Sequence, residues 1–229
     1  MKWISDLIDL IFPRHCVVCG QTLSPGEQHI CLNCLYTLPR VEPRLFTEIE
    51  SIFWGKVDIE RAASFMYYRK GERYNNILHH TKYRNRPEVG RHIASIAASE
   101  LKEQGFFDGI DIIVPLPLSD KKRRERGYNQ CDYIAEGLSL ATGIPTVKNI
   151  VKRDKDNATQ THKSREERWE NVKGIFSVAL PHELDGKHIL LVDDILTTGA
   201  TLASCTSAIK ESTGCTVSIF TIGYTNNSL

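Results

Sequence analysis

Leu190-Leu191-Val192-Asp193-Asp194-Ile195-Leu196-Thr197-Thr198-Gly199-Ala200-Thr201 is the stretch on which the reading of the chain turns. The aliphatic run His188 to Val192 is unbroken, as expected of a strand in a parallel sheet covered on both faces. It stops on two adjacent carboxylates and a hydroxyl-rich turn with a single glycine. That turn opens a helix predicted over Ala200 to Ser212, so free backbone N–H groups and the positive end of the helix dipole gather there. A phosphate fits such a turn. Asp193 and Asp194 would repel it, so they should face another part of the same ligand. Sugar hydroxyls, which donate hydrogen bonds, suit them. A ribose 5-phosphate meets both demands, against the plainer reading of a strand-to-helix turn with chance acids. The stretch lacks the glycine and lysine order of a P-loop and the three glycines of a dinucleotide fingerprint.

Strands and helices alternate on either side of it. Ala62 to Tyr68 reads as a strand, Tyr74 to Tyr83 as a helix, and Val89 to Leu101 as a second helix stopped by Gly105. Asp111 to Val114 reads as a short strand ending at Pro115. A basic loop follows, then a helix over Asn129 to Thr142 that stops at Gly143. Residues 147–153 and 174–179 could pair as a ribbon around a long polar loop, and Cys215 to Tyr224 forms the last strand. The succession predicts an α/β fold with a mainly parallel central sheet flanked by helices, whose ligands sit at the carboxyl ends of the strands.

With 229 residues, 25% charged and 41% hydrophobic, the chain has the composition of a soluble globular protein with one full core. A net charge of +1 selects no partner. Between Lys121 and Arg168, however, twelve Lys and Arg stand against seven Asp and Glu, which is either a solvated face or an anion site. At the N-terminus, Trp3, Ile4, Leu7, Ile8 and Ile11 fall at helical spacing, while Asp6 and Asp9 interrupt any signal-peptide core. The segment reads as an amphipathic helix docked on the protein or, less readily, on a membrane surface. No stretch is long enough to span a bilayer, and the expected location is the cytoplasm.

Cys16-x-x-Cys19 and Cys31-x-x-Cys34 are two knuckles that can bring four thiolates to one structural zinc ion; a pair of disulfides is the alternative, disfavoured in a reducing compartment. His15 and His29 flank the knuckles. Cys131, Cys205 and Cys215 read as small buried hydrophobes. The expected organisation is a helix plus zinc ribbon over 1–40, a linker over 41–60 and an α/β domain over 61–229.

The stretch 190–201 resembles the phosphoribosyl pyrophosphate (PRPP) loop of type I phosphoribosyltransferases. Residues 114–130, VPLPLSDKKRRERGYNQ, resemble the Val-Pro-x-Pro and Arg-Gly-Tyr/Phe-Asn-Gln signature of the ComF family, which carries a zinc ribbon ahead of its transferase domain. The resemblance covers nearly the whole chain. It implies a type I phosphoribosyltransferase fold in which Asp193 and Asp194 hold the ribose. Thr197, Thr198, Gly199, Ala200 and Thr201 would hold the 5-phosphate. Arg123, Arg124, Arg126 and Asn129, with Lys82 and Arg84 ahead of the core, would meet the pyrophosphate that magnesium accompanies. Residues 154–173 would form a closing loop with Gln160, Lys163, Arg165 and Arg168.

No acceptor pocket is legible. Two readings follow from the resemblance. In one, a PRPP-binding protein handles single-stranded DNA during natural transformation beside a helicase-like competence protein, with Tyr128 and Trp169 as stacking platforms. In the other, a magnesium-dependent phosphoribosyltransferase transfers ribose 5-phosphate to an unknown nitrogenous acceptor.

Overall fold

The computed structural model describes residues 13–154 and 174–225. Four strands form one parallel sheet: β1 (Ala62–Tyr67), β2 (Ile112–Pro115), β5 (His188–Leu196) and β6 (Thr216–Tyr224), in the order β1-β6-β5-β2. A separate antiparallel ribbon pairs β3 (Val151–Arg153) with β4 (Phe176–Val178), as the sequence suggested for 147–153 and 174–179. The helices are α1 (Leu32–Tyr36), α2 (Phe46–Ser51), α3 (Asn75–Tyr83), α4 (Pro87–Lys102), α5 (Asp120–Arg126), α6 (Gln130–Thr142) and α7 (Ala200–Ser212).

The central strand explains the architecture. Ile189, Leu190, Leu191 and Val192 have no exposed surface, and alternate members enter opposite apolar clusters. Leu190 and Val192 meet Ile77 of α3, Ile93 and Ala97 of α4 and Ile134 and Leu138 of α6. Ile189 and Leu191 meet Ile49 of α2, Leu202 and Ile209 of α7 and Phe176 of the ribbon. Each such burial contributes about 1.5–3 kcal/mol relative to exposure, so neither helical layer is dispensable.

Two segments differ from the sequence reading. The stretch 41–60, expected as a linker, carries α2 and fully buries Ile49 and Phe53 against the sheet. The basic stretch after β2, expected as a loop, forms α5. Ser119 caps it by accepting the Lys122 N–H at 3.4 Å, Asp120 stands in its first turn, Arg123, Arg124 and Arg126 stand in its last, and left-handed Gly127 ends it. That charge order matches the helix dipole. Because α5 buries no residue, it gives no apolar period to detect.

The zinc-ribbon segment shares the core of the main body: Val17, Val18, Leu23, Ile30 and Leu38 belong to the same apolar cluster as Ile77 and Ile93. Arg40 clasps it in place with a two-pronged ion pair to Glu100 of α4, both distances 2.7 Å. The Thr37 and Tyr74 hydroxyls meet at 2.7 Å, at the N-terminal cap of α3.

Helices α4 and α6 cross at Gly137, where a Cβ would stand 2.1 Å from the Arg91 carbonyl oxygen and 2.9 Å from the Ala94 Cβ. Gly to Ala within a helix ordinarily stabilises by about 1 kcal/mol. At Gly137 the obstacle is backbone, so Gly137→Ala should instead destabilise by about 1–3 kcal/mol, read as a lowered midpoint in urea unfolding. A midpoint at or above that of the wild type would contradict this packing.

Candidate functional site

An open cleft of about 670 Å³ lies beyond the carboxyl ends of β5 and β2. Its floor is Asp193, Asp194 and Thr201, and Leu116 to Leu118 follow β2 along one side. Lys82 of α3, Lys122 and Arg126 of α5 and Arg153 of β3 converge on it from three different elements.

The sequence suggested a strand ending before the acids. In the structure β5 runs through them: Asp193 pairs in register with Thr221 and Leu196 with Tyr224. Successive strand residues point to opposite faces, so the two carboxylates leave the sheet on different sides. Asp194 is buried, 5% exposed. Its Oδ1 lies 3.0 Å from Lys82 Nζ, and its Oδ2 accepts a hydrogen bond from Gln130 Nε2 at 2.8 Å. Burial pulls the Lys82 ammonium down, but the Asp194 and Asp193 carboxylates outweigh it and hold it above the usual lysine range. Asp193 is half-buried, and its Oδ1 accepts the Asp194 N–H at 2.8 Å and the Cys131 thiol at 3.4 Å. Burial, then repulsion from Asp194, pushes its carboxyl up to about 6. Burial likewise holds the Cys131 thiol well above its ordinary range, so it stays a proton donor to Asp193 and not a nucleophile.

The turn after β5 is built around Gly199, whose φ of 71° is left-handed. A Cβ there would come within 2.8 Å of Ile52 Cγ2 and 3.2 Å of Phe53 Cε1, so the α2 segment closes on this residue and only glycine fits. Thr198 Oγ1 accepts the Ala200 N–H at 3.4 Å, and Lys56 Nζ donates to the Thr198 carbonyl at 3.0 Å. Thr197 is exposed and Thr201 lines the cleft at the start of α7.

The predicted anion contacts divide. Arg126 and Lys82 line the cleft. Arg123 and Arg124 are exposed on α5 but are not among the lining residues, and Arg84 is exposed beyond the end of α3. Asn129 is buried in a structural role: it caps α6 through the Cys131 N–H and donates to the Leu116 carbonyl at 3.0 Å and to Asp132 at 3.1 Å. Gln160, Lys163, Arg165, Arg168 and Trp169 lie outside the described residues. Sequence reasoning passed over Gln130, although it ends the quoted signature, and Arg153, which it left inside the β3 segment. Arg153 lies across Phe176 of β4, 5.5 Å from its ring centroid.

The Sγ atoms of Cys16, Cys19, Cys31 and Cys34 all lie within 4.8 Å of one another, with Cys19 and Cys31 3.8 Å apart. Tetrahedral zinc with bonds of about 2.3 Å places sulfurs at about this spacing. Burial pushes the Cys16 thiol up, but the backbone N–H groups of Cys19, Cys31 and Val18 outweigh it and bring it down to about 7. A thiolate stabilised by backbone amides is what a structural zinc needs. His29 is engaged elsewhere, accepting from Arg86 at 3.2 Å and meeting the His92 ring edge-on. As expected, Cys131, Cys205 and Cys215 are buried.

Among the described residues no helix is long and apolar enough to cross a membrane. The phosphoribosyl transferase domain family matches residues 79–228, and the double zinc ribbon domain matches residues 7–45. Sheet, cleft and four-cysteine cluster thus define a type I phosphoribosyltransferase fold with a structural zinc ribbon at its N-terminal side. Competence protein F of Haemophilus influenzae Rd is 31% identical over 204 residues, 87% of this chain and 80% of that one. Competence protein ComFC of Bacillus subtilis 168 is 30% identical over 214 residues, 90% and 82% of the two chains. DNA utilization protein YhgH of Escherichia coli K12 is 28% identical over 147 residues, 63% of this chain and 64% of that one. The chain belongs to the ComF family.

Removing one zinc ligand with Cys16→Ser should drop metal content below one zinc per chain and expose the ribbon to limited proteolysis; full retention of zinc would mean a different ligand set. Asp193 carries a pH signature. Its carboxyl is held near 6 in the folded state against about 3.9 unfolded, so the fold binds the extra proton between these values and loses stability as pH rises through them. Asp193→Asn keeps the acceptor and removes the charge. It should be more stable than the wild type above pH 6, on the order of 2 kcal/mol, with a flatter stability profile between pH 4 and 6. Thermal unfolding across that pH range checks the sign.

Proposed function

We propose that the cleft binds PRPP and that this PRPP-binding protein acts in handling single-stranded DNA during natural transformation. One observation carries the donor assignment. Two carboxylates at the end of a buried strand stand beside a helix start and face a wall of Lys82, Lys122, Arg126 and Arg153. Phosphate belongs on the N–H groups and hydroxyls of Thr197 to Thr201. The ribose diol donates to the remaining lone pairs of Asp193 and Asp194. Gln130 and Lys82 keep Asp194 oriented for that contact. The leaving pyrophosphate meets the basic wall, where the guanidinium forks of Arg126 and Arg153 match phosphate oxygens two at a time.

Magnesium fits as the pyrophosphate's counter-ion, with the Asp193 carboxylate as the oxygen donor at hand; such an ion stabilises charge on the departing oxygens. The protein's own part is to hold the sugar between acids and amides and to neutralise the far end of the ligand.

The DNA assignment rests on the relatives being named competence proteins and a DNA utilization protein, and on the exposed run Lys121 to Arg124 along α5, next to the cleft. Phosphate backbones bind such runs in a salt-dependent way. A helicase-like competence protein is the partner this role implies. Transfer of ribose 5-phosphate to a nitrogenous acceptor is the second reading, favoured by the open face of the cleft above the acids.

Calorimetric titration with PRPP and magnesium should give binding that Asp193→Asn/Asp194→Asn weakens at least tenfold, with zinc content and fold retained. The same variant should bind a short single strand as the wild type does, that affinity falling steeply with added salt. Unchanged PRPP affinity would remove the ribose assignment. Pyrophosphate release in the presence of an added base, lost in the variant, would favour transfer.

A further inference from the structure

Of the exposed large apolar side chains among the described residues, Tyr83 is the one that lines the cleft, with 67% of its surface open. It is the last residue of α3, directly after Lys82, whose ammonium contacts Asp194. The other aromatic on the cleft wall, Tyr128, is committed: its hydroxyl donates to the Thr81 carbonyl at 2.7 Å and its ring meets Tyr133 edge-on. Among the described residues the Tyr83 hydroxyl has no such bond. Its ring lies 5.5 Å from the guanidinium of Arg126 and 5.1 Å from the His79 ring. A hydrogen bond from Arg126 to the Gln130 carboxamide, itself tied to Asp194, anchors the guanidinium plane. Asn85, also on the cleft wall, offers a carboxamide that can both donate and accept.

An exposed tyrosine ring against an anchored guanidinium, one residue from a carboxylate site, is unexplained by any need of the fold. Burial would stabilise that ring, yet among the described residues two thirds of it stays open. We propose that Tyr83 and Arg126 form a stacking site for a planar nitrogenous ring, a nucleobase, at the mouth of the cleft. Both partners present flat surfaces that accept any base, and Asn85 supplies edge contacts. The site deepens the PRPP reading and rests on it only for the ring's position beside the sugar. The base could come from a free acceptor or from a nucleotide of a single strand; the chemistry of recognition is shared.

The test uses the full chain with two probes, free 2-aminopurine and a short oligo(dT) carrying one 2-aminopurine, both of which lose fluorescence on stacking. Quenching by the wild type should persist within about twofold in Tyr83→Phe. Its affinity should fall about tenfold or more in Tyr83→Leu, the scale of one lost base–aromatic stack. Arg126→Lys, which keeps charge but not a plane, should also weaken it. Quenching of the free base alone identifies a small-molecule acceptor, and quenching of the oligomer alone identifies a strand. Equal quenching by wild type and Tyr83→Leu, or none of either probe by the wild type, overturns the site. PRPP calorimetry on the same proteins separates the two ideas. Tyr83-dependent quenching without PRPP binding would keep the ring site and discard the donor assignment.

Discussion

A strand buried on both faces has to end somewhere that water can reach, and β5 sets the terms for the whole molecule. Its four aliphatic residues require a helical layer on each side, which α3, α4 and α6 supply on one face and α2, α7 and the β3–β4 ribbon on the other. Where that cover stops, the strand still has hydrogen-bonded neighbours through Leu196. Its side chains there can be polar without leaving backbone groups unmet. Two acids are therefore held rigidly, on opposite faces of the sheet, by a ladder that their own charge opposes.

The cost of that placement shows in the surroundings. Asp194 is answered by Lys82 and Gln130, each from a different helix, and Asp193 by a backbone amide and a thiol. Asp193 remains the less satisfied, with a carboxyl held up near 6. Buried groups left in this condition gather where proteins bind ligands, because the ligand supplies the missing partner.

Much of this was legible in the chain itself. The run His188 to Val192, the acid pair and the glycine turn specified a parallel strand and its helix, because each is a local signal with one physical meaning. The four knuckle cysteines and the helix stop at Gly143 were equally plain. Helix α5 was hidden, since a helix that buries nothing shows no period, and α2 was hidden because its six residues, among prolines and mixed charges, are too few to sustain one. The division of labour between Asn129 and Gln130 could not be read either. Adjacent in sequence, one turns inward to cap a helix and the other turns toward Asp194. Arg153 and Tyr83 reach the cleft by tertiary folding alone.

Helix α3 has one end on the ribbon and the other on the acids. The Tyr74 hydroxyl, at its start, hydrogen-bonds that of Thr37 beside the cysteine knuckles, while Lys82, in its last turn, pairs with Asp194. A rod of nine residues thus spans from the metal-held flap to the carboxylate floor. One helix therefore joins the side chains that seat the ribbon to the one that meets Asp194, and the ribbon is packed into the same core as the cleft's supporting helices.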